Sequence, residues 1–246
     1  MMPFTPAAWQ SCFARMEQFL GWSLSARQRA GLQHYSLLLL QANQQFNLMG
    51  PSAAGNLLTR HFLDAVPLFP FMGPAARVAD LGAGGGVPGV VLAILAQPPQ
   101  TLHLIESRQK KARFLEQVVA ELALGDRVQV FAVRAEQLGA EQKSSYDLVV
   151  SRALGSLLYG ATLARPLLSP TGSYLALKGD GHGQDLEQFQ QSSLQAFFQR
   201  PQVYPAMGEG GGVVVRLQRR LDVPARGGMV ASKGRVNPKL QRPTEG

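Results

Sequence analysis

Apolar residues over the first 70 positions recur at steps of three or four. In SARQRAGLQHYSLLLLQANQQFNLM, Leu32, Tyr35, Leu38, Leu39, Ala42 and Phe46 form one stripe behind Ser25, a suitable N-cap, which predicts an amphipathic helix. Gly50-Pro51-Ser52 breaks the pattern. A shorter helix is expected through Leu57, Leu58, His61, Phe62 and Ala65, with Pro67 and Pro70 ending it. After Gly73-Pro74 the grammar changes to apolar strands alternating with helices. Strands are expected at Arg77 to Leu81, Thr101 to Glu106, Val128 to Val133, Tyr146 to Ser151, Gly172 to Lys178, Gln202 to Tyr204 and Val213 to Arg219. A helix spans Ser107 to Leu124, where Phe114, Leu115, Val118, Val119 and Leu122 share a stripe. This succession predicts an α/β, Rossmann-like fold: a seven-stranded, mostly parallel sheet with helices on both faces. Gly208 to Gly212 would turn the last two strands into an antiparallel hairpin at the sheet edge.

Three regions follow: an N-terminal helical segment over 1–72, packed on a main domain over 73–220, and a tail over 221–246. The tail is set apart by charge. The chain of 246 residues carries 24 Lys and Arg against 16 Asp and Glu, a net of +8. From Arg216 to Gly246 there are eight basic residues and two acidic ones, so +6 of that total lies in the last 31 positions. A Gly/Pro-containing basic stretch without aromatics packs no core, but it neutralises phosphates by releasing their counterions. Nucleic acid is the leading partner class, with Lys233, Arg235 and Lys239 as tail candidates; a solvated tail that only aids solubility is the plainer reading.

Composition removes several other classes. With 46% hydrophobic and 16% charged residues the chain is not of disordered, collagen or coiled-coil type. The longest apolar stretch, Val87 to Ala96, is about half of a bilayer span, and no basic segment followed by an apolar run opens the chain. No membrane partner is expected. The single cysteine, Cys12, forms no internal disulfide or multi-thiolate site, which fits a reducing cytoplasm. The four histidines do not cluster, so no metal is expected.

The most specific chemistry sits in VADLGAGGGVPGVVLAILA from Val78. A strand ends on Asp80, glycines let the backbone turn tightly against a ligand, and Pro88 suits the first turn of the next helix. Gly84, Gly86 and Gly89 satisfy G-x-G-x-x-G, so a dinucleotide dehydrogenase is one reading. Two features oppose it. The carboxylate of Asp80 would repel a pyrophosphate yet accept hydrogen bonds from a cationic amine-bearing ligand such as S-adenosylmethionine, and Pro88 removes an amide that a pyrophosphate would use. Glu106, at the end of the second strand, is placed to take both hydroxyls of an adenosine ribose, for either ligand. Ala135 and Glu136 follow the third strand and could frame an adenine; a plain helix-terminal acid is the alternative.

The fourth strand leads into Ser151-Arg152-Ala153, with neither an Asn/Asp-Pro-Pro-aromatic turn nor a nearby cysteine. The chemistry therefore suits an acceptor that is already nucleophilic, such as guanine N7, reached by direct in-line displacement without an obligatory base. Arg152 is a candidate for bracing the cofactor or the base. Lys178 has a similar placement after the fifth strand. Arg108, Lys110, Lys111 and Arg113 crowd the start of a helix, where cations oppose the dipole, so phosphate contact explains them better than stability does. His61 and Asp64 share a helical face; an acid/base pair and a structural His-carboxylate bond both fit the spacing.

Asn47-Leu48, Arg60-His61-Phe62-Leu63-Asp64, Asp80-Leu81-Gly82 through Pro88-Gly89, Glu106-Ser107, Lys111 with Arg113-Phe114-Leu115, Ser151-Arg152-Ala153 and Ala176-Leu177-Lys178-Gly179, in that order, closely resemble the RsmG family, formerly called GidB. The likeness covers roughly residues 40 to 180. It implies a class I S-adenosylmethionine-dependent methyltransferase fold and methylation of guanosine N7 in the decoding-region loop of 16S ribosomal RNA, free or in a small-subunit particle; a monomer is the separate expectation for the chain. Carried over by position, the family's cofactor contacts are Gly82, Val87, Ala135, Glu136 and Arg152. Asp80, Gly84 and Glu106 come from the turn and ribose arguments. Met49 and Ala83 depart from the family pattern, which usually has small hydroxyl residues there. Competing classes are a non-catalytic RNA-binding assembly factor, an NAD-dependent reductase and a small-molecule methyltransferase.

Overall fold

The computed structural model describes residues 4–46, 48–50, 55–74, 76–138 and 142–221. The tail candidates Lys233, Arg235 and Lys239 and most of region 221–246 lie outside the described residues, as does Asn47. Within them the seven expected strands form one sheet in the order β3-β2-β1-β4-β5-β7-β6: β1 Arg77–Leu81, β2 Thr101–Ile105, β3 Val128–Phe131, β4 Tyr146–Arg152, β5 Leu168–Lys178, β6 Gln202–Pro205 and β7 Val213–Gln218. The first five run parallel. β7 is antiparallel to both β5 and β6, so the last hairpin closes the sheet edge as expected.

Strand alternation sends residues to two separate cores. Val78, Leu102, Leu104, Leu148 and Val150 face one apolar cluster; Ala79, Leu81, Ile105, Val149 and Tyr174 face the other. The first cluster is covered by α1 Pro6–Leu20, α2 Ala26–Gln45, α4 Gly89–Leu95 and α5 Gln109–Glu121, and the second by α6 Leu157–Ala164 and α7 His182–Gln191. Trp9, Leu32, Tyr35 and Leu39 from α1 and α2 share a core with Val90, Leu92 and Leu115. The N-terminal helices are therefore part of the sheet's own packing.

Ser25 caps α2 with a full capping box, its hydroxyl accepting from the Gln28 amide while Gln28 reaches back. The following helical piece corrects the sequence expectation. It runs as a π-helical turn Leu57–Phe62, then α3 Leu63–Ala65, then a 3-10 turn Val66–Phe71, so Pro67 and Pro70 do not end it. Pro67 falls in the first turn of the 3-10 piece, where its missing N–H is not needed.

Parallel strands place all their carboxyl ends on one edge. The chain steps outward from β1 through β2 to β3, then returns to lay β4 on the other side of β1, and a crevice opens at that switch point. Gly82, Glu106, Arg152 and Lys178 all stand along this edge, directly at or beyond the ends of their strands.

Candidate functional site

The turn after β1 is built from backbone conformations that side chains resist. Gly82 and Gly84 hold φ of 67° and 58°, in the left-handed region. The Tyr35 hydroxyl donates to the Gly85 carbonyl at 2.6 Å, and the Tyr35 ring stacks on Phe62 at 5.4 Å, so α2 braces the turn from outside. Sequence reading placed Tyr35 on the buried stripe; its bracing role needed the tertiary contact.

Two carboxylates fasten the turn from within. Glu106 accepts from the Gly84 amide at 2.9 Å and from the Arg108 amide at 2.8 Å. Asp80 accepts from the Gly89 amide at 2.8 Å, at the start of α4, while its other oxygen is buried with no hydrogen-bond partner. Burial pushes the Asp80 carboxyl up to about 7; the Gly89 bond opposes this and the Glu106 charge adds to it. Asp80 is thus under the turn, while Glu106 lines the space above it.

That space is a cavity of about 350 Å³. Gly82, Gly84, Val87, Glu106, Lys111 and Arg152 line it on the strand side; Leu39, Leu48, Met49 and His61 wall it from the N-terminal segment. Met49 and Ala83, the two departures from the family pattern, both face it. A smaller notch of about 80 Å³ adjoins the turn, lined by Gly82, Ser107, Ala135, Glu136, Leu154 and Tyr159. Glu106 and the Ala135–Glu136 pair therefore flank the same glycine, as an adenosine-shaped ligand would require. Tyr159, half-exposed, donates to Glu136 at 3.4 Å and was not anticipated from the sequence.

A third cavity, of about 250 Å³, lies on the far side of Arg152 and Ala153, which line both large spaces. Ala153 has a left-handed backbone at φ 53°, strained for a residue with a Cβ, and bends the chain sharply after β4. Arg152 Nη2 stands 3.8 Å from Asp64, and Nη1 is buried without a partner. Burial pulls the Arg152 pKa down and Asp64 pulls it back. Asp64 does not pair with His61: it accepts from the Gly208 amide at 2.9 Å, and His61 Nε2 is buried without a partner. The acid/base and His-carboxylate readings of that pair are both set aside. Burial, then Arg152 and Arg60, bring the His61 pKa down to about 4, so the ring is neutral.

The expected basic residues divide. Arg108, Lys110 and Arg113 are exposed around the start of α5, and Lys111 reaches over Gly84 into the turn cavity. Lys178 is engaged, 2.6 Å from Asp185 and 2.5 Å from the Gly155 carbonyl, so it lines the third cavity as a neutralised group. Among the described residues, no three His, Cys, Asp or Glu side chains come together, and no helix is long and apolar enough to cross a membrane.

The turn fits an adenosine-bearing cofactor with a cationic amino-acid arm: it has left-handed glycines, a buried carboxylate oxygen lacking a partner, and a second carboxylate facing the cavity. Known proteins agree in fold. The chain resembles a SAM-dependent O-methyltransferase of Thermotoga maritima (TM-score 0.53, 16% identity, 74% of this chain and 71% of the other). It also resembles P. horikoshii TYW2 in complex with MeSAdo (TM-score 0.52, 12% identity, 70% and 64%). By sequence, a family model described as rRNA small subunit methyltransferase G matches residues 28–210. Proteins named ribosomal RNA small subunit methyltransferase G from Burkholderia thailandensis and Burkholderia pseudomallei are 39% and 40% identical over 175 residues, covering 69% of this chain and 75% of each relative.

Proposed function

This chain belongs to the rRNA small subunit methyltransferase G (GidB) family and is a methyltransferase, and from that premise we propose that it methylates N7 of a guanosine in the decoding-region loop of 16S ribosomal RNA. S-adenosylmethionine, when bound, supplies an electrophilic methyl group on a cationic sulfur. Asp80, Gly82, Gly84, Val87, Glu106, Ala135, Glu136 and Arg152 are the residues assigned to hold it. Glu106 takes the ribose hydroxyls, with free lone pairs beside its two amide bonds, and Ala135 and Glu136 frame the adenine in the notch. The buried, unpartnered oxygen of Asp80 is the acceptor for a cationic arm.

One observation carries the choice of acceptor. Among the described residues, the lining of the turn cavity contains no cysteine or hydroxyl side chain that could add to a base. Cys12 is remote, buried against the Leu58 carbonyl, and its thiol is pushed up to about 12 by burial. A pyrimidine carbon needs a covalent nucleophile; a purine ring nitrogen with a free lone pair does not. The chain's task is then to hold the base in line and exclude water. Arg108, Lys110, Lys111 and Arg113 at the start of α5 serve RNA phosphates, and the basic tail with Lys233, Arg235 and Lys239 adds sequence-independent attraction.

Mapping N7-methylguanosine in small-subunit RNA of a deletion strain tests this reading. The mark is expected to vanish with the gene and return when it is restored. A mark that persists without the gene overturns the assignment, as does a lost mark on another atom.

A further inference from the structure

The third cavity has a mixed wall. Arg60 and Arg152 bring positive charge, Asp64 brings a carboxylate, and Leu177 and Ala206 bring apolar surface. A phosphate site would exclude that carboxylate, and Lys178 is already neutralised by Asp185. A planar ring edge carrying both an acceptor and donors suits the wall better. Asp64 and Arg152 stand side by side, with Arg152 Nη2 3.8 Å from Asp64 Oδ2, and the buried Arg152 Nη1 has no partner. Asp64 is held in place by the Gly208 amide, from the loop between β6 and β7, and that loop is docked again through Glu209 N to the Thr59 carbonyl at 2.9 Å.

Around guanine the groups run N7, O6, N1–H, N2–H. Across this region the order is turn cavity, Arg152, Asp64. We infer that the third cavity is the acceptor pocket for an extruded guanine, with Arg152 donating to O6 and Asp64 accepting from N1–H and N2–H. This rests on the N7-guanosine reading above and deepens it. Arginine often grips guanine through O6 and N7 together, which would block the reacting nitrogen. Here Nη2 faces Asp64, so one guanidinium nitrogen serves O6 and N7 stays open toward the turn cavity. A base taken out of its stack is commonly read along its Watson–Crick edge, and a carboxylate does this for guanine and not for adenine.

The test compares small-subunit RNA carrying guanosine or 2,6-diaminopurine riboside at the target position. The second base keeps N7 but replaces O6 with a donor and N1–H with an acceptor. The parent enzyme is expected to favour guanosine by about a hundredfold or more in kcat/KM. Asp64→Asn keeps a carbonyl for the Gly208 amide and can donate to N1, so the preference should shrink by about tenfold, with affinity for S-adenosylhomocysteine unchanged in calorimetry. Asp64→Glu, which shifts the carboxylate by one methylene, gives a second background in which guanosine turnover falls and cofactor affinity holds. Equal methylation of both bases by the parent overturns the pocket assignment, as does a preference that survives Asp64→Asn intact or a parallel loss of cofactor affinity. Absence of N7-methylguanosine from the parent reaction would instead sink the underlying reading.

Discussion

The two sides of the strand-end crevice are made in different ways. On the side proposed for the methyl donor, the turn from Gly82 to Gly89 is one short segment with its own backbone shape, φ of 67° and 58° at Gly82 and Gly84, and carboxylates bonded to its amides. On the side proposed for the acceptor, most of the wall comes from separate segments. Arg60 and Asp64 come from the irregular helical piece, Arg152 from the end of β4, Lys178 from the end of β5 and Gly208 from the last hairpin. The difference teaches that one side starts from a local backbone shape that Glu106 and Tyr35 then fasten, while the other is assembled through long-range polar contacts. The donor side should therefore respond to substitution through stability, and the acceptor side through turnover.

Gly89→Ala should give the largest effect. A Cβ there would meet Leu104 and stand 2.6 Å from Asp80 Oδ2, in a fully buried setting. The expected loss is about 3 kcal/mol, readable by urea unfolding, together with loss of S-adenosylhomocysteine binding. A stable variant that still binds would show that the donor side yields to strain and would erase the contrast.

Arg152→Ala tests the shared wall. Its guanidinium is a desolvated charge with one loose ion pair and a buried, unpartnered nitrogen, and Asp64 keeps its bond from the Gly208 amide when it is removed, so relief of that burial offsets the lost pair. Turnover on small-subunit RNA is expected to fall about a hundredfold, with a melting temperature near that of the parent. Unchanged turnover would remove Arg152 from the site. A large drop in cofactor affinity with normal RNA binding would move it wholly to the donor side.

The same contrast explains what could be read from the sequence. The strands, the sheet edge hairpin, the Ser25 cap and the glycine turn are local patterns, and each stands where periodicity and turn chemistry put it. Glu106 and Arg152 were legible because parallel strands carry their ends to one edge. Asp64 was visible as a residue but not in its role: its partners Gly208 and Arg152 lie far away in sequence, and spacing pointed to His61 instead. Lys178 looked like a free cation because nothing local reveals Asp185 as its partner. The continuation of helix through Pro67 and Pro70 was hidden for another reason, since proline rules describe α-helix and the chain changes to a 3-10 form there. Met49, Leu39 and Tyr159 line the site only because of packing between elements.

Asp80 offers the finest discrimination within the donor side. Its carboxyl is raised from 3.8 to about 7, chiefly by burial, so the folded state favours the protonated form. The sign follows: the stabilisation from that form is fully present below the unfolded value near 3.8 and is lost as pH climbs toward about 7. Asp80→Asn keeps an acceptor for the Gly89 amide and carries no charge. The variant should therefore gain on the parent as pH rises from 4 to 8, by up to about 4 kcal/mol in unfolding free energy. A cationic ligand arm beside Asp80 would draw the proton off. Affinity of the parent for S-adenosylhomocysteine should then rise with pH through about 7, while that of Asp80→Asn stays weak and level. Parallel, flat binding curves would mean that the carboxylate serves the turn alone, leaving Glu106 and the adenine notch to hold the cofactor.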